Sequence, residues 1–296
     1  MGQKPADIPE DELKRLYFEE FLSQKEIAAR LSCSQQAVQR RMIKLGLKPR
    51  ENAESKLLFN DSFRRDFNGD LSLKAYMLRF CKSDMHPWIR DPKSQTIRIT
   101  SSTTKQAQVD LFQNLFSPYG LIRIGQIDIR GANALTAHVN LTFGFLLYKE
   151  DNIPDWALEY EEAFFGYLAG YTDAEGHIAV AKTGQAIFKI DTYDQNIILT
   201  CATMLNRLGI KTSTPFISTK QGTITGQGHA YRKDMWRLHI GGKSALLLLF
   251  NRLRPYLRHA TRIEQMNAAI ANIEHRNTTP HKKTGPKPKL KETVSP

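Results

Sequence analysis

Between residues 70 and 275 the sequence states one pattern twice, and this repetition constrains the fold more than any single motif. LSLKAYMLRFCKSD reads as a helix, followed by strand-like runs around HPWIR and TIRIT, then a helix in TKQAQVDLFQNLFSPYG closed by Gly120. Strand-like LIRIG, QIDI and AHVNLTF lead to a short apolar helix. The second statement opens with the helix EYEEAFFGYLAGYTD and continues with strands HIAVAKT and AIFKIDT and the helix DQNIILTCATMLNRLG, closed by Gly209. Strands near TSTPFIS and MWRLHI and helices SALLLLFNRLR and ATRIEQMNAAIANI complete it. The expected class is α+β, with repeats over 70–160 and 161–275 related by a pseudo-two-fold axis. Of the 296 residues, 41% are hydrophobic, enough for a core in each half.

The flanks read differently. Residues 1–50 predict three short helices. Leu13, Leu16 and Tyr17 form the first apolar stripe, Ser23 and Glu26 a capping box, and Ser32 to Ser34 a tight turn before a helix with Val38, Met42 and Leu45 inward and a stop at Gly46. This is a helix-turn-helix pattern, in which the last helix enters the major groove. Its outward residues are Gln35, Gln36, Gln39, Arg40 and Lys44; glutamine and arginine suit adenine and guanine edges. A small helical bundle with a solvated basic face is the other reading. Residues 51–69 read as a partly docked connector. The tail 276–296, with five lysines between 282 and 291 and Pro and Gly spacers, reads as disordered.

Forty-two Lys plus Arg against thirty Asp plus Glu leave a formal charge of +12, which points to a polyanionic partner, nucleic acid before an acidic membrane surface. Cys33, Cys81 and Cys201 form no CxxC pair, and no secretory leader is visible, so they are expected to be reduced and structural. The longest apolar run, residues 245 to 250, is far below the roughly 20 residues a bilayer requires. The expected location is cytoplasmic and nucleoid-associated, not secreted.

One stretch, LAGYTDAEGH at 168 to 177, ends a helix with Asp173 and Glu175, where the backbone dipole disfavours acids. On the same helix Gly166, Ala169 and Gly170 share one face at i, i+3 and i+4, so a second helix can approach until the backbones nearly touch. An acid just past each of two such helix ends sets two carboxylates side by side, a pair that repels unless a cation sits between them. A divalent ion such as Mg²⁺ or Mn²⁺ prefers such oxygen ligands and can activate water in phosphodiester cleavage.

LAGYTDAEG resembles the nine-residue signature of the LAGLIDADG homing endonucleases, matching at Leu168, Ala169, Gly170, Asp173, Ala174 and Gly176, with Glu175 a conservative acid. The element order over 70–275 resembles the family's core fold, a saddle of sheets built from two αββαββα repeats. The resemblance implies that Glu175 is a catalytic metal ligand and that Asp173 fixes the helix junction. The counterpart in the first repeat is the degenerate MLRFCKSDMH, residues 77 to 86, which puts Asp84 at the second metal-ligand position. Arg79 replaces the close-packing glycine, Lys82 the first acid and Met85 the following glycine. A long charged side chain at a helix crossing is expected to snorkel away or push the helices apart, and Lys82 is positioned to pair with Asp173. Asp84 as a plain surface acid is the alternative.

The family often has a basic residue near its acids. RPYLRHATRIEQ offers Arg258, His259 and Arg262, whereas Ala260 stands where a lysine is expected. His86 and His177, each opening a strand, read as structural. Alternation along the strands exposes Arg98 against Ile97 and Ile99, Arg237 and His239 against Leu238 and Ile240, and Arg123 and Arg130 with a register slip at Gly125. Arg90, Lys182, Lys189, Lys220 and Arg232 are further candidates for a DNA-reading surface in the major groove.

Together these imply a single-chain, monomeric, metal-dependent endonuclease that cuts both strands of a long asymmetric DNA target. A DNA-binding regulator, or a maturase assisting intron RNA splicing, that keeps the fold without the chemistry is the competing expectation.

Overall fold

The computed structural model describes residues 8–20, 22–50, 64–125, 131–226 and 228–278. Most of the expected tail (279–296), most of the connector (51–63), the QIDI run and Arg130 lie outside them, while residues 276–278, expected in the tail, instead close the helix Ala260–Thr278.

At the N-terminus, helix α1 (Glu10–Lys14) runs into a π-helical turn (Arg15–Glu19), followed by α2 (Gln24–Arg30) and α3 (Gln35–Lys44). Ser23 and Glu26 form the reciprocal capping box of α2, and Ser34 caps α3 through the Ala37 N–H. Between them Ser32 takes a left-handed φ of 52°, which makes the turn tight. Leu13, Leu16, Tyr17, Ile27, Val38 and Met42 bury themselves in a small core of their own.

The larger body is built twice. The first repeat contains α4 (Leu71–Asp84), β1 (His86–Ile89), β2 (Ile97–Thr103), α5 (Gln106–Phe116), β3 (Leu121–Ile124), β4 (Asn133–Val139) and a 3₁₀ helix (Leu141–Leu147). After the short α6 (Asp155–Glu159), the second contains α7 (Glu161–Glu175), β5 (Gly176–Val180), β6 (Ala186–Thr192), α8 (Gln195–Arg207), β7 (Phe216–Thr219), β8 (Met235–Ile240), α9 (Lys243–Leu253) and α10 (Ala260–Thr278). Both sheets are four-stranded and antiparallel, with the orders β1-β2-β4-β3 and β5-β6-β8-β7, so the second copy reproduces the first strand for strand.

One continuous core serves both repeats, from Tyr76 and Phe80 of α4 through Phe164 and Leu168 of α7 to Leu249 and Met266 of α9 and α10. The alternation in the strands is real: Ile97, Ile99, Phe188, Ile190, Leu238 and Ile240 are buried, while the intervening residues face away from the core.

Two local expectations are corrected. AHVNLTF is not one strand, because Asn140 leaves β4 and accepts the Thr142 N–H, capping the 3₁₀ helix. Gly120 is required by contact more than by helix closure, since a Cβ there would lie 2.0 Å from the His138 carbonyl oxygen in β4. No helix among the described residues is long and apolar enough to cross a membrane. Cys81 and Cys201 are buried free thiols, and Cys33 is a partly exposed one.

Candidate active site

The site is made by two helices that cross in backbone contact. A Cβ on Gly166 would lie 2.2 Å from the Ser72 carbonyl oxygen, and one on Gly170 would lie 2.4 Å from that of Tyr76, so any side chain at either position would force α4 and α7 apart. Ala169 is fully buried beside them. Each helix ends on an acid: Asp84 is the last residue of α4 and Glu175 the last of α7. Both are half-buried. Burial first, and the negative charge of Glu175 in addition, push the Asp84 carboxyl up to about 6, although a hydrogen bond from Gln108 Nε2 (2.9 Å) to its Oδ2 works the other way. The two helix-end acids therefore sit within each other's field.

Arg79 does neither of the things expected of it. It is 1% exposed, and the helices keep their contact. Its guanidinium lies 3.5 Å from the centroid of the Tyr171 ring, and Nη2 donates to Asp194 Oδ2 (2.8 Å) and to Glu175 Oε1 (3.2 Å). Nε and Nη1 are buried without a hydrogen-bond partner among the described residues. Burial opposes the charge, but the surrounding tyrosines and the two carboxylates outweigh it and hold its pKa above the ordinary arginine value. The side chain escapes the crossing by turning toward α8, whose first turn offers Asp194. That residue occupies the N-cap position yet makes no side-chain cap bond; it is taken up by Arg79 instead.

Asp173 is 3% exposed, in the last turn of α7. Its Oδ2 accepts the Tyr76 hydroxyl (2.7 Å) and the backbone N–H groups of Arg258 (2.8 Å) and His259 (3.0 Å), just before α10. One carboxylate thus ties α7 to α4 and to the positive end of α10. Burial pushes it up to about 6 against those three hydrogen bonds. Lys82 does not pair with it; its ammonium donates to the Glu150 carbonyl oxygen.

Of the basic segment, Arg258 and His259 reach the helix ends through their backbone N–H groups and Arg262 through its side chain. The Arg262 Nε donates to the Thr172 carbonyl oxygen (3.2 Å), which also accepts the Gly176 N–H at the end of α7, and its charge is felt by both Asp84 and Asp173. Arg258 is exposed, with its guanidinium 5.4 Å from the Tyr76 ring centroid. His259 is 8% exposed, and its Nδ1 has no partner among the described residues. Ala260 is exposed at the start of α10.

The donor set fits a hard divalent cation in kind, being carboxylate oxygen on both helix ends. Among the described residues no group of three or more His, Cys, Asp or Glu side chains gathers to hold a metal. Burial is the main reason the Asp84 pKa is raised, and the Glu175 charge adds to it. Glu175 is already paired with Arg79.

The polar faces of the sheets carry the other candidates. In the first sheet Arg98 lies opposite Trp88 and His138, and Arg123 opposite Thr136, all on the face away from the core. The Arg98 guanidinium lies 5.3 Å from the Trp88 ring centroid. In the second sheet Lys189 pairs with His239 and His177, and Asp191 pairs with Arg237. Arg237 grips Asp191 through two bonds (2.5 and 3.0 Å), and Lys189 lies 3.5 Å from the same carboxylate. Arg90, Lys182, Lys220 and Arg232 are exposed on turns and loops. Gln35, Gln36, Gln39, Arg40 and Lys44 are exposed along α3, together with Ile43 at 70%.

Sequence reasoning missed Gln108, Asp194, Tyr76 and Tyr171, which hold the helix-end groups. Each reads locally as an ordinary helix residue.

Residues 162–253 match the family described as the LAGLIDADG-like domain. The comparison with curated proteins found no match. Among solved structures, the fold is similar to I-DmoI in complex with DNA and Mn (16% identity, 62% of this chain and 98% of that one, TM-score 0.42). It is also similar to the LAGLIDADG homing endonuclease I-GzeII in complex with its DNA target (11% identity, 69% and 91%, TM-score 0.42). A third is full-length DUF199/WhiA from Thermatoga maritima (14% identity, 73% and 64%, TM-score 0.43). The matched residues lie within the second repeat, and the first repeat shares its strand order.

Proposed function

We propose that this chain is a site-specific double-strand DNA endonuclease that uses divalent metal ions. The observation that carries the reading is the meeting of two close-packed helices whose last residues, Asp84 and Glu175, are both acids and feel each other's charge. Asp84 and Glu175 would hold Mg²⁺ or Mn²⁺, which when bound lowers the pKa of water and neutralises charge on the leaving oxygen. Gln108 orients Asp84 from one side, and Asp173 keeps α4, α7 and α10 in register. Arg262 adds positive charge next to the acids, where a phosphate would come. The charged outer faces of the two sheets would follow a long asymmetric target as a monomer, and α3 would add a separate major-groove contact.

The test is selection of cleaved sequences from a randomised duplex pool with Mg²⁺, repeated with Glu175→Gln and Asp84→Asn. Loss of one ligand is expected to slow cleavage by about 100-fold or more while leaving DNA affinity within about threefold. Unchanged Mg²⁺-dependent cleavage in both variants refutes the assignment of these residues.

A second reading, a DNA-binding regulator without nuclease chemistry, is favoured by one observation: Glu175 is already engaged by a buried arginine. Enrichment of bound sequences with no cleavage by the unmodified protein under Mg²⁺ or Mn²⁺ selects it.

A further inference from the structure

The two helix ends are built alike in backbone and unlike in charge. Gly170 of α7 and Arg79 of α4 occupy the same place in their repeats. Because Arg79 turns toward the second repeat, its guanidinium serves Glu175 and Asp194, while nothing equivalent serves Asp84. Among the described residues Asp84 has no ion-pair partner; its side-chain contact is the neutral amide of Gln108, and Lys105 and Arg262 act on it only through their fields. Arg79 cannot leave easily. It is 1% exposed, stacked on Tyr171, and anchored more closely by Asp194 (2.8 Å) than by Glu175 (3.2 Å). Removing a buried cation from two carboxylates leaves both uncompensated, so the pair persists rather than opening.

Resting on the metal reading above, we infer that Arg79 is a positioning residue that acts as a fixed internal cation for Glu175, so that divalent metal binds this chain chiefly through Asp84. Like charges compete for the same carboxylate: a metal at Glu175 must approach the guanidinium, a repulsion that a half-buried site screens poorly. A metal at Asp84 meets no such neighbour in contact and relieves the repulsion between the two acids. The site is therefore asymmetric in metal affinity although its topology is symmetric. The two strands of a bound duplex, each facing one helix end, would meet unequal sites.

The test uses the purified, metal-stripped full chain and Tb³⁺ as a hard, oxygen-seeking probe, read by tyrosine-sensitised luminescence, with Mg²⁺ as competitor. Asp84→Asn is expected to weaken Tb³⁺ by about tenfold or more and Glu175→Gln by less than about threefold. In an Arg79→Met background, Glu175→Gln is expected to cost about tenfold, because the internal cation is gone. The contrast between the two single acid variants stands even if Arg79→Met does not fold. Equal losses from Asp84→Asn and Glu175→Gln overturn the inference and leave the metal reading intact. Tb³⁺ binding that neither acid affects overturns the metal reading and the inference with it.

Discussion

The end of α4 and the end of α7 are the instructive comparison. Both helices stop on an acid, α7 enters a strand directly and α4 after Met85, and both lie against the other through the same crossing. Yet α7 brings Asp173 to hold α10 and surrenders Glu175 to an arginine, whereas α4 brings Lys82, which turns out to Glu150, and leaves Asp84 with an amide. A duplicated backbone is kept by packing, which tolerates few changes at the crossing. Polar side chains beyond the crossing are free to diverge. The second repeat supplies the glycines and the first supplies carbonyl oxygens, so the crossing itself is asymmetric.

The largest effect is expected there. Gly170→Val places a branched side chain on the Tyr76 and Phe80 backbone and should cost about 3 kcal/mol or more in chemical denaturation, whereas Ala75→Gly at the opposite helix should cost only about 1 kcal/mol. A similar cost for both would mean that the helices do not meet as closely as described. Next, Asp173→Ala orphans one hydroxyl and two backbone N–H groups and should lose on the order of 2–3 kcal/mol, with faster hydrogen exchange at the start of α10.

The pH dependence separates the two acids further. Asp84 sits at about 6 when folded, above the usual aspartate value near 4, so its favourable contribution is complete below about pH 4 and is lost as pH rises through 6. Asp173, pushed up to about 6 by burial, adds the same sign. Metal-free protein should therefore lose on the order of 2 kcal/mol or more between pH 4.5 and 7.5, and Asp84→Asn should remove roughly half of that slope in urea titrations at each pH. Below pH 4 the trend reverses, because Asp70 and Asp191 are held below the usual range: hydrogen bonds to Asp70 and the Arg237 contact with Asp191 outweigh the burial that opposes them. A flat profile in the unmodified protein would remove the electrostatic difference drawn between the helix ends. The smallest effect belongs to Lys82→Ala. Among the described residues its hydrogen bond is to the exposed Glu150 carbonyl oxygen, and the melting temperature should fall by no more than about 2 °C.

Much of the fold was legible in order of appearance. AIFKIDT and MWRLHI coincide with β6 and β8, because alternation in a half-buried strand is a local signature. AHVNLTF was misread because an asparagine cap ends a strand without changing the apolar pattern that follows. At the site, the small face of Gly166 and Gly170 pointed to a close crossing, and the Ser72 and Tyr76 carbonyl oxygens lie where their side chains would be. The destination of Arg79 was not legible. Outward snorkelling and helix separation follow from the crossing alone, whereas the acid that receives it lies beyond six strands in the sequence.

The amino-acid sequence by itself determined the doubled unit, the pair of helices that must touch, and the acids that end them, because periodicity, side-chain size and charge at a helix terminus are local quantities. Only the tertiary structure decided how those acids differ. A carboxylate's character depends on what lies within a few ångströms of it, and for Glu175 and Asp84 those neighbours, Arg79 and Gln108, come from other elements of the fold.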